Sequence, residues 1–452
     1  MSASSGRLTY EGALRALEAR GRFGVRLGLG RTRALLHGLG DPHLAVRGAL
    51  IAGTNGKGSV LALTDAALRA AGHRVGTTPK PHLVTYRERI QVDGRPIEPA
   101  DFARLVERVL LVADLVARRQ GEPTEFELLT AVVFARFAEV RPDVAVVEVG
   151  LGGRLDATHA WDGGVVAITN VDLDHTDRLG NTITAIAREK AAVVERGDLA
   201  VTGARGEGLV VIRRRARRLG VPLTEVAPAA IIGWDRDGID VDLPRLGRTR
   251  VGLRGRHQAA NVAVADAVLD ALAEAGIART HAEARRAGYA AAVWPGRLEL
   301  LSVGGRDVLL DGAHNPAGAA ALALALADLR PYLQDGPLTL VTASMADKDV
   351  DGVVRELAVA PGMTRATVVC TSLDLPRAMP APDLAGRWRA VLPAARVIAE
   401  PDHRAALDRV LSTAPAASGP VVVAGSLYLV GATRAALVDD PDLRDPEPAE
   451  DE

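Results

Sequence analysis

The stretch Ala49-Leu-Ile-Ala-Gly53-Thr-Asn-Gly56-Lys57-Gly58-Ser59-Val60 decides the fold of this chain. An apolar run predicts a buried strand, the glycines predict a tight loop, and the Ala/Leu-rich run from Ser59 to Ala71 predicts a helix. Backbone N–H groups in such a loop, at a helix N-terminus, can bind phosphate oxygens. Lys57 can reach the β- and γ-phosphates of a nucleotide, and the Ser59 hydroxyl suits Mg²⁺. Because Gly58 separates Lys57 from Ser59, the spacing departs from the usual G-x₄-G-K-[ST] pattern. A glycine-rich turn without a ligand is the alternative interpretation.

Apolar β-branched runs alternate with helical runs along the chain, which is typical of a parallel sheet covered by helices. The predicted strands are 47–52, Asp143–Val149, Val165–Thr169, Leu199–Thr202, Val308–Leu310, Leu338–Thr342, Ala366–Cys370 and Val421–Ala424. A less regular segment, Ile231–Val251, precedes a predicted helix over Asn261–Ala275, and the alternation restarts after Pro295. We therefore predict an α/β fold of two domains, residues 1–295 and 296–438, followed by an acidic disordered tail over 439–452.

Composition excludes several classes of protein. Of the 452 residues, 48% are hydrophobic and 25% charged, which is ordinary for a globular enzyme and excludes disorder for most of the chain. No apolar run approaches the roughly 18 residues of a membrane span. The single cysteine, Cys370, excludes an intrachain disulfide, so we expect a cytoplasmic protein. The basic run Arg213–Arg218 has no interleaved aromatic residues and is interpreted as a solvated helix face, so no nucleic-acid partner is predicted.

Polar side chains follow two of the predicted strands. Glu148 ends one strand, and ligands gather at strand ends in doubly wound sheets. A buried carboxylate is costly unless a cation pairs with it, and that cation could be Mg²⁺ held by Ser59 or the side chain of Arg154. His175 follows the next strand, and either a ligand role or a core position beside an aspartate is consistent with the sequence. Lys190 lies on a helix one connection further on and by itself would be an exposed lysine.

These segments together resemble the folylpolyglutamate synthase/dihydrofolate synthase family of Mur-type ATP-dependent amide ligases, from about Leu27 to Leu437. The motifs that carry the resemblance are Gly53–Ser59, Phe126-Glu127-x-x-Thr130-Ala131, Glu148–Thr158, Asp174-His175-Thr176, Leu179-Gly180, Glu189-Lys190, His257-Gln258-x-x-Asn261, Pro295-Gly296-Arg297, Asp311–Pro316, Asp347-Lys348-Asp349 and Gly425-Ser426-Leu-Tyr. The resemblance implies an N-terminal P-loop domain of the Mur-ligase central type and a C-terminal Rossmann-like ligase domain. It also implies a reaction in which ATP phosphorylates a folate-type carboxylate and L-glutamate attacks the acyl phosphate.

The resemblance assigns roles to individual residues. It implies Mg²⁺ ligation by Ser59, Glu148 and His175 and carbamylation of Lys190, with K⁺ as a further candidate cation. Lys57, Lys190 and His314 are the implied catalytic residues. The implied ATP contacts are Gly53, Thr54, Asn55, Gly56, Lys57, Gly58, Ser59, Asn261, Arg297 and Asp311. The expected partners are small molecules only (ATP, L-glutamate and a pterin or folate), and a monomer is expected.

The pterin end of the acceptor is expected to meet residues before and after the phosphate loop. These are Leu27, Gly28, Leu29, Lys80, His82, Thr124, Phe126, Glu127, Gly153, Arg154 and Leu155, with Phe126 a candidate to stack on the ring. Two departures bear on the acceptor. Pro79-Lys80 stands where the family usually has Thr-Ser or Ser-Ser before Pro-His-Leu, so Lys80 replaces a small hydroxyl residue. Arg26 replaces an acid that dihydropteroate-using members often have just before Leu-Gly-Leu. Lys80 could contact the γ-phosphate, contact a substrate carboxylate or point to solvent. An acceptor other than a folate, and the choice between one and two folate activities, therefore stay open.

Overall fold

A computed structural model describes residues 8–21, 28–412 and 419–446, and within them the chain divides into two units. The first unit contains residues 8–227, 263–288 and 441–446, and the second contains 228–262 and 289–440. Both dividing points between 262 and 289 fall inside helices, α9 (Gln258–Glu274) and α10 (Ala282–Ala291). Each unit is described by itself below.

The first unit is built on an eight-stranded sheet with the strand order β4-β3-β2-β5-β1-β6-β7-β8. Its strands are β1 (Gly48–Ala52), β2 (Val75–Thr78), β3 (Gln91–Val92), β4 (Arg95–Pro96), β5 (Val144–Glu148), β6 (Gly164–Ile168), β7 (Leu199–Thr202) and β8 (Leu223–Glu225). The strands from β2 to β8 in this order are parallel, while β3 and β4 extend one edge as an antiparallel pair. In such a sheet the carboxyl ends of β1, β5 and β6 share one edge, where ligands bind.

Helices cover this sheet. They are α1 (Tyr10–Glu18), α2 (Gly30–Gly38), α3 (Lys57–Ala70), α4 (Pro99–Gln120), α5 (Glu125–Val140), α6 (Thr176–Leu179), α7 (Ile183–Ala191) and α8 (Gly206–Leu219). Strands β1 and β5 are buried along their whole length, as continuous apolar runs in a covered parallel sheet should be. Every residue of α3 from Ser59 to Leu68 is buried, so the helix that begins in the phosphate loop is anchored in the core.

The second unit contains two sheets. An antiparallel sheet has the order β11-β10-β9, with β9 (Ala230–Asp235), β10 (Gly238–Leu243) and β11 (Gly247–Val251). A six-stranded sheet has the order β12-β13-β17-β14-β15-β16, with β12 (Glu299–Val303), β13 (Arg306–Leu310), β14 (Thr339–Thr342), β15 (Thr367–Cys370), β16 (Arg396–Ala399) and β17 (Val421–Ala424). Only β12 runs antiparallel to its neighbour in this sheet. Its helices are α11 (Pro316–Leu329), α12 (Val350–Ala358), α13 (Ala381–Val391), α14 (His403–Leu411) and α15 (Leu427–Leu437).

The division differs from the predicted boundary at Pro295. The three strands between Ala230 and Val251 pair with one another, and they belong to the second unit. Arg236 donates hydrogen bonds to both Asp307 oxygens, at 3.1 and 2.6 Å. A boundary read from the restart of the strand–helix pattern misses such contacts.

The predicted disordered tail also differs from the structure over 439–446. Pro441–Leu443 form a short 3-10 helix that belongs to the first unit. Asp445 accepts hydrogen bonds from Thr85 Oγ1 (2.7 Å) and from Nε of Arg87 (3.1 Å), which is buried. The acidic segment is thus ordered here by a buried cation, while residues 447–452 lie outside the described part. Within that part, none of the helices combines the length and hydropathy that a membrane span requires.

Candidate active site

The phosphate loop, residues 53–59, is held by the segment that follows β6. Asn170 Oδ1 accepts a hydrogen bond from the Asn55 N–H (2.8 Å), and Thr169 Oγ1 donates to the Asn55 carbonyl (2.6 Å). Thr54 Oγ1 both donates to the carbonyl and accepts from the N–H of Asp172, at 3.2 and 3.0 Å. Side chains that follow β6 therefore fix the backbone of the loop that follows β1.

Glycine is required at the start of this loop. Gly53 has φ of +148°, and a Cβ there would lie 1.8 Å from Thr169 Oγ1. Gly56 has φ of +81° directly before α3 begins at Lys57. The Lys57 ammonium donates to the Thr54 carbonyl (3.2 Å), so it folds back over the loop. The buried Ser59 lies in the first turn of α3.

Glu148 lies beside this loop. It ends β5 and pairs in register with Ile51 of β1, two residues before Gly53. Its side chain is buried, with Oε1 3.9 Å from Lys57 Nζ and Oε2 accepting the Lys80 N–H at 2.9 Å. The sequence offered a salt bridge between Glu148 and Arg154 as an alternative. Arg154 instead pairs with Glu189, because its Nε donates to Glu189 Oε1 at 2.9 Å.

Lys190 is buried rather than exposed. From α7 its ammonium donates to the carbonyl of Gly53 at 2.8 Å, so it contacts the phosphate loop itself. Burial, assisted by the nearby Lys57 charge, lowers the pKa of Lys190 to about 7. Asp174, Asp172 and Asp156 oppose this shift. A large fraction of this amine is therefore neutral near pH 7.

Lys80 is half-buried and lies against Glu148. Its ammonium donates to the Glu148 carbonyl at 2.5 Å and lies 5.1 Å from the centroid of the Phe126 ring. Burial lowers the pKa of Lys80 to about 8, although Asp156 and Glu148 oppose the shift. The sequence left three roles open for Lys80, namely contact with the γ-phosphate, contact with a substrate carboxylate, and a side chain that points to solvent. Its position against Glu148 and Phe126 does not match the last of these.

The Phe126 ring lines a narrow cleft next to Lys80. Its other walls include the side chains of Arg89, Leu129, Thr130 and Val133. Arg89 Nε donates to His82 Nδ1 (2.9 Å), so His82 supports this wall. The Lys80 ammonium lies over the Phe126 ring, whereas the Arg89 guanidinium lies 5.4 Å from the Tyr86 ring centroid. The cleft has a volume of about 10 Å³, so its walls must move apart before a ring can enter.

Two other predicted acceptor residues hold the start of α5, which carries Phe126. Thr124 is its N-cap, and its side chain and that of Glu127 form a reciprocal capping box. Glu127 Oε2 also accepts a hydrogen bond from Arg31 Nε at 3.0 Å, and Glu127 Oε1 forms an ion pair with the Arg31 guanidinium at 2.9 Å. Because these groups satisfy one another, the geometry makes them supports of Phe126.

The remaining predicted acceptor residues fall into two places. Gly153 packs against α7, where a Cβ would lie 2.9 Å from the Glu189 carbonyl, and Arg154 N–H donates to that carbonyl at 3.0 Å. Leu155 beside them is half-buried. Gly28 and Leu29 lie directly before α2, with Leu29 as its N-cap. Leu27 and Arg26 lie outside the described residues.

The metal ligands implied by the sequence are Ser59, Glu148 and His175, of which Ser59 and Glu148 are buried. His175 is exposed at the N-cap of α6, with its N–H donating to Asp174 Oδ1 at 2.8 Å. In the described ranges, no three His, Cys, Asp or Glu side chains lie close enough to hold a metal. The oxygens of Ser59 and Glu148 nevertheless suit Mg²⁺, which is usually bound by one or two protein oxygens together with substrate phosphates. An imidazole is a less usual partner for it.

In the second unit, Asp311 and Arg297 lie together at the end of β13. Asp311 is buried and accepts the N–H groups of Leu298 and Ala313, both at 2.9 Å. Burial raises its pKa, while the Arg297 charge opposes the shift. A Cβ on Gly312 would lie 2.1 Å from an Arg297 guanidinium nitrogen, so this approach requires glycine. His314 Nδ1 hydrogen-bonds the Gly312 carbonyl at 2.7 Å.

Comparisons with known proteins decide the family. A model described as "Mur ligase middle domain" matches residues 51–269, and one described as "Dihydrofolate synthetase, C-terminal domain" matches 298–435. The Bacillus subtilis dihydrofolate synthase/folylpolyglutamate synthase is 35% identical over 83% of this chain and 88% of its own length. This chain belongs to the folylpolyglutamate synthase/dihydrofolate synthase family.

Further relatives agree. The Mycobacterium tuberculosis dihydrofolate synthase/folylpolyglutamate synthase is 36% identical over 91% of this chain and 90% of its own length. The solved structure of Mycobacterium tuberculosis folylpolyglutamate synthase with ADP and AMPPCP has a TM-score of 0.84 at 34% identity, covering 95% of this chain and all of that one. E. coli FolC in complex with DHPP and ADP has a TM-score of 0.81 at 27% identity, covering 96% and 99%. The predicted family and α/β fold class are confirmed, while the site residues stay predictions.

One group of side chains beside Asn261 received no role from the sequence. His257 and Gln258 hydrogen-bond at 3.1 Å, and Gln258 Oε1 accepts from Asn261 Nδ2 at 2.8 Å. Burial, assisted by the Arg297 charge, lowers the pKa of His257 to about 4, so the imidazole is neutral near pH 7. The signal was present in the motif His257-Gln258-x-x-Asn261, and it now makes His257 and Gln258 supports of the predicted ATP contact Asn261.

Proposed function

We propose that this protein is an ATP-dependent ligase that joins L-glutamate to the carboxylate of a folate-type acceptor through an acyl phosphate. One observation carries the proposal: Lys57, Glu148 and Lys190 surround a phosphate loop that opens beside the aromatic cleft of Phe126 and Lys80. Relatives that are 35% and 36% identical to this chain over the aligned residues are dihydrofolate synthase/folylpolyglutamate synthases, which supports the same reaction.

The first chemical step is a phosphoryl transfer. An oxygen of the acceptor carboxylate attacks the γ-phosphorus, the bond to the β–γ bridging oxygen breaks, and ADP leaves. Such transfers need the reacting groups to be aligned and the negative charge of the phosphates to be neutralised, more than they need covalent help from the protein. Lys57 and the N–H groups of residues 53–59 would bind the phosphates. Mg²⁺, held by Ser59 and Glu148 and with His175 as a further candidate ligand, would supply additional positive charge.

The second step forms the amide. The free amine of glutamate attacks the acyl carbon, the bond to the phosphate oxygen breaks, inorganic phosphate leaves, and the amine proton passes to solvent or a base.

In the second unit we assign phosphate binding to Arg297, ribose or base binding to Asp311, and other nucleotide contacts to Asn261 and His314. The buried carboxylate and the nearby guanidinium support these roles.

Lys190 is proposed to be carbamylated. A neutral amine adds to CO₂ and loses a proton, which converts a cation into an anion, and the lowered pKa of Lys190 favours the neutral amine. K⁺ remains a candidate cation for the loaded site. Intact-mass and NMR measurements with ¹³C-bicarbonate would detect the carbamate, and its absence in both wild type and Lys190→Met would contradict the assignment.

The direct test is ADP release by purified protein with Mg·ATP and L-glutamate, using dihydropteroate or tetrahydrofolate as acceptor, with product masses recorded. Turnover with both acceptors means two activities, and turnover with one identifies the single activity. Lys57→Ala is expected to abolish ADP release. Unchanged release by that variant would show that a contaminant is responsible.

An acceptor that is not a folate is the second candidate, and one observation favours it. Lys80 lies over the Phe126 ring, where the family usually has a small hydroxyl residue that would leave this ring face open. If neither pterin supports turnover while another carboxylic acid does, this alternative replaces the folate assignment. A cytoplasmic monomer remains part of the proposal, and light scattering of the purified protein would test the oligomeric state.

A further inference from the structure

Lys80 lies between the phosphate loop and the acceptor cleft. Its ammonium is 2.5 Å from the Glu148 carbonyl, and the Glu148 side chain is 3.9 Å from the Lys57 ammonium. On its other side the same ammonium is 5.1 Å from the Phe126 ring centroid, and the Lys80 side chain forms part of the cleft wall. One cation thus adjoins both the residues proposed for ATP and those proposed for the acceptor.

The Lys80 ammonium has donors to spare. A lysine has three N–H groups, and the structure gives one acceptor, the Glu148 carbonyl, to this ammonium. It forms no ion pair with a carboxylate in the described ranges, although Glu148 and Asp156 are near enough to affect its charge. Arg89 and Lys57 contribute positive charge to the same surroundings. Because an enclosed cation without a paired anion is costly, a bound anion would stabilise this arrangement.

The position indicates which anion. The cleft beyond Lys80 has a volume of only about 10 Å³, but Phe126, Leu129 and Val133 make its lining apolar. A ligand that widened it by moving these side chains would therefore need an apolar or aromatic body. In the proposed reaction the acceptor carboxylate must reach the γ-phosphate while its aromatic body occupies a cleft. Resting on that proposed function, we infer that Lys80 binds the reacting carboxylate of the acceptor and orients it for phosphorylation.

The residue type agrees with this role. The chain contains four lysines against 51 arginines, and three of the four are Lys57, Lys80 and Lys190 at this site. A guanidinium is larger and planar, whereas a lysine ammonium is a compact charge with three rotatable donors. Apart from Lys348, the basic side chains elsewhere in the sequence are arginines, so a lysine at position 80 is an unusual choice for this chain.

Direct binding without nucleotide tests the inference. We would measure the dissociation constants of dihydropteroate and of the analogue in which its carboxylate is a carboxamide, using wild type and Lys80→Met. Wild type is expected to prefer the carboxylate by at least about tenfold, because a charge-assisted hydrogen bond is lost with the amide. Lys80→Met is expected to lose this preference while binding the carboxamide within about twofold of wild type, which also shows that the variant is folded.

Two further variants sharpen the result. Lys80→Arg is expected to keep only part of the preference, and Arg118→Met, which removes an exposed cation on α4, is expected to keep all of it. If Lys80→Met still prefers the carboxylate, the inference is wrong. It is equally wrong if that variant loses AMPPCP affinity and keeps the preference, since Lys80 would then serve the nucleotide. If wild type binds neither dihydropteroate nor tetrahydrofolate, the folate assignment itself fails, and this failure is distinguishable from that of the Lys80 inference.

Discussion

Replacing Lys190 by methionine should make the protein more stable and inactive. The ammonium of Lys190 is buried and finds one carbonyl, that of Gly53, at 2.8 Å. Its pKa is lowered to about 7 from an ordinary value of 10.5, so folding at neutral pH must either bury a charge or remove a proton. Methionine fills a similar volume without that cost.

The magnitude follows from the pKa shift. A difference of about 3.5 pKa units corresponds to roughly 4 kcal/mol against folding at pH 7, and the lost hydrogen bond returns about 1 kcal/mol. Lys190→Met should therefore be more stable by about 3 kcal/mol at pH 7. Between pH 7 and 10.5 the unfolded wild type binds more protons than the folded one, so wild-type stability rises with pH in this window. The advantage of the variant should shrink by about 2 kcal/mol between pH 7 and 9.

Urea unfolding of both proteins at pH 7, 8 and 9 in CO₂-free buffer would measure this. Arg118→Met serves as the control, because it removes an exposed cation and should differ from wild type equally at every pH. A constant difference between Lys190→Met and wild type would refute the reasoning. A destabilised variant at pH 7 would refute it more strongly.

Three other perturbations have defined outcomes. Gly53→Ala should abolish AMPPCP binding in calorimetry, because its Cβ would displace the loop, whereas Gly206→Ala, a positive-φ glycine with open space around it, should bind normally. Asp445→Ala should lower the free energy of unfolding by about 1–2 kcal/mol, since it leaves the buried Arg87 cation without its carboxylate, and an unchanged urea midpoint would contradict this. Glu127→Ala should weaken acceptor binding more than ATP binding, because it loosens the start of α5, and equal losses would argue against that role.

The local parts of the fold could be predicted, and the parts fixed by distant contacts could not. The strand, loop and helix from Ala49 to Ala71 are continuous in sequence, so glycine positions and apolar periodicity suffice to predict them. Strand β2 has the sequence Val-Gly-Thr-Thr, with a single large apolar residue, and β16 lies at a sheet edge and is only partly buried. The prediction omitted both of these strands.

The same distinction applies to the site. The sequence predicts that Glu148 and Lys57 lie near a phosphate, since Glu148 is the last residue of one predicted strand and Lys57 lies in the loop after another. It cannot predict that Lys190 reaches the Gly53 carbonyl, because 137 positions separate them. Nor can it choose among the three interpretations of Lys80, whose surroundings come from β5 and α5. Electrostatic surroundings are the part of a site that only the folded chain determines.

Lys57, Lys80 and Lys190 lie at or beside the phosphate loop and make this site favourable for anions. The charge of Lys57 disfavours the charged forms of both Lys80 and Lys190, and burial acts in the same direction. Glu148 is the buried carboxylate that contacts two of these three residues. A nucleotide and an acceptor carboxylate would bring the missing negative charge, so each would favour the protonated lysines that bind it. Carbamylation of Lys190 would remove one cation and add an anion. The arrangement is therefore electrostatically incomplete as a protein alone, which is the property expected of a site that must bring two anions together for phosphoryl transfer.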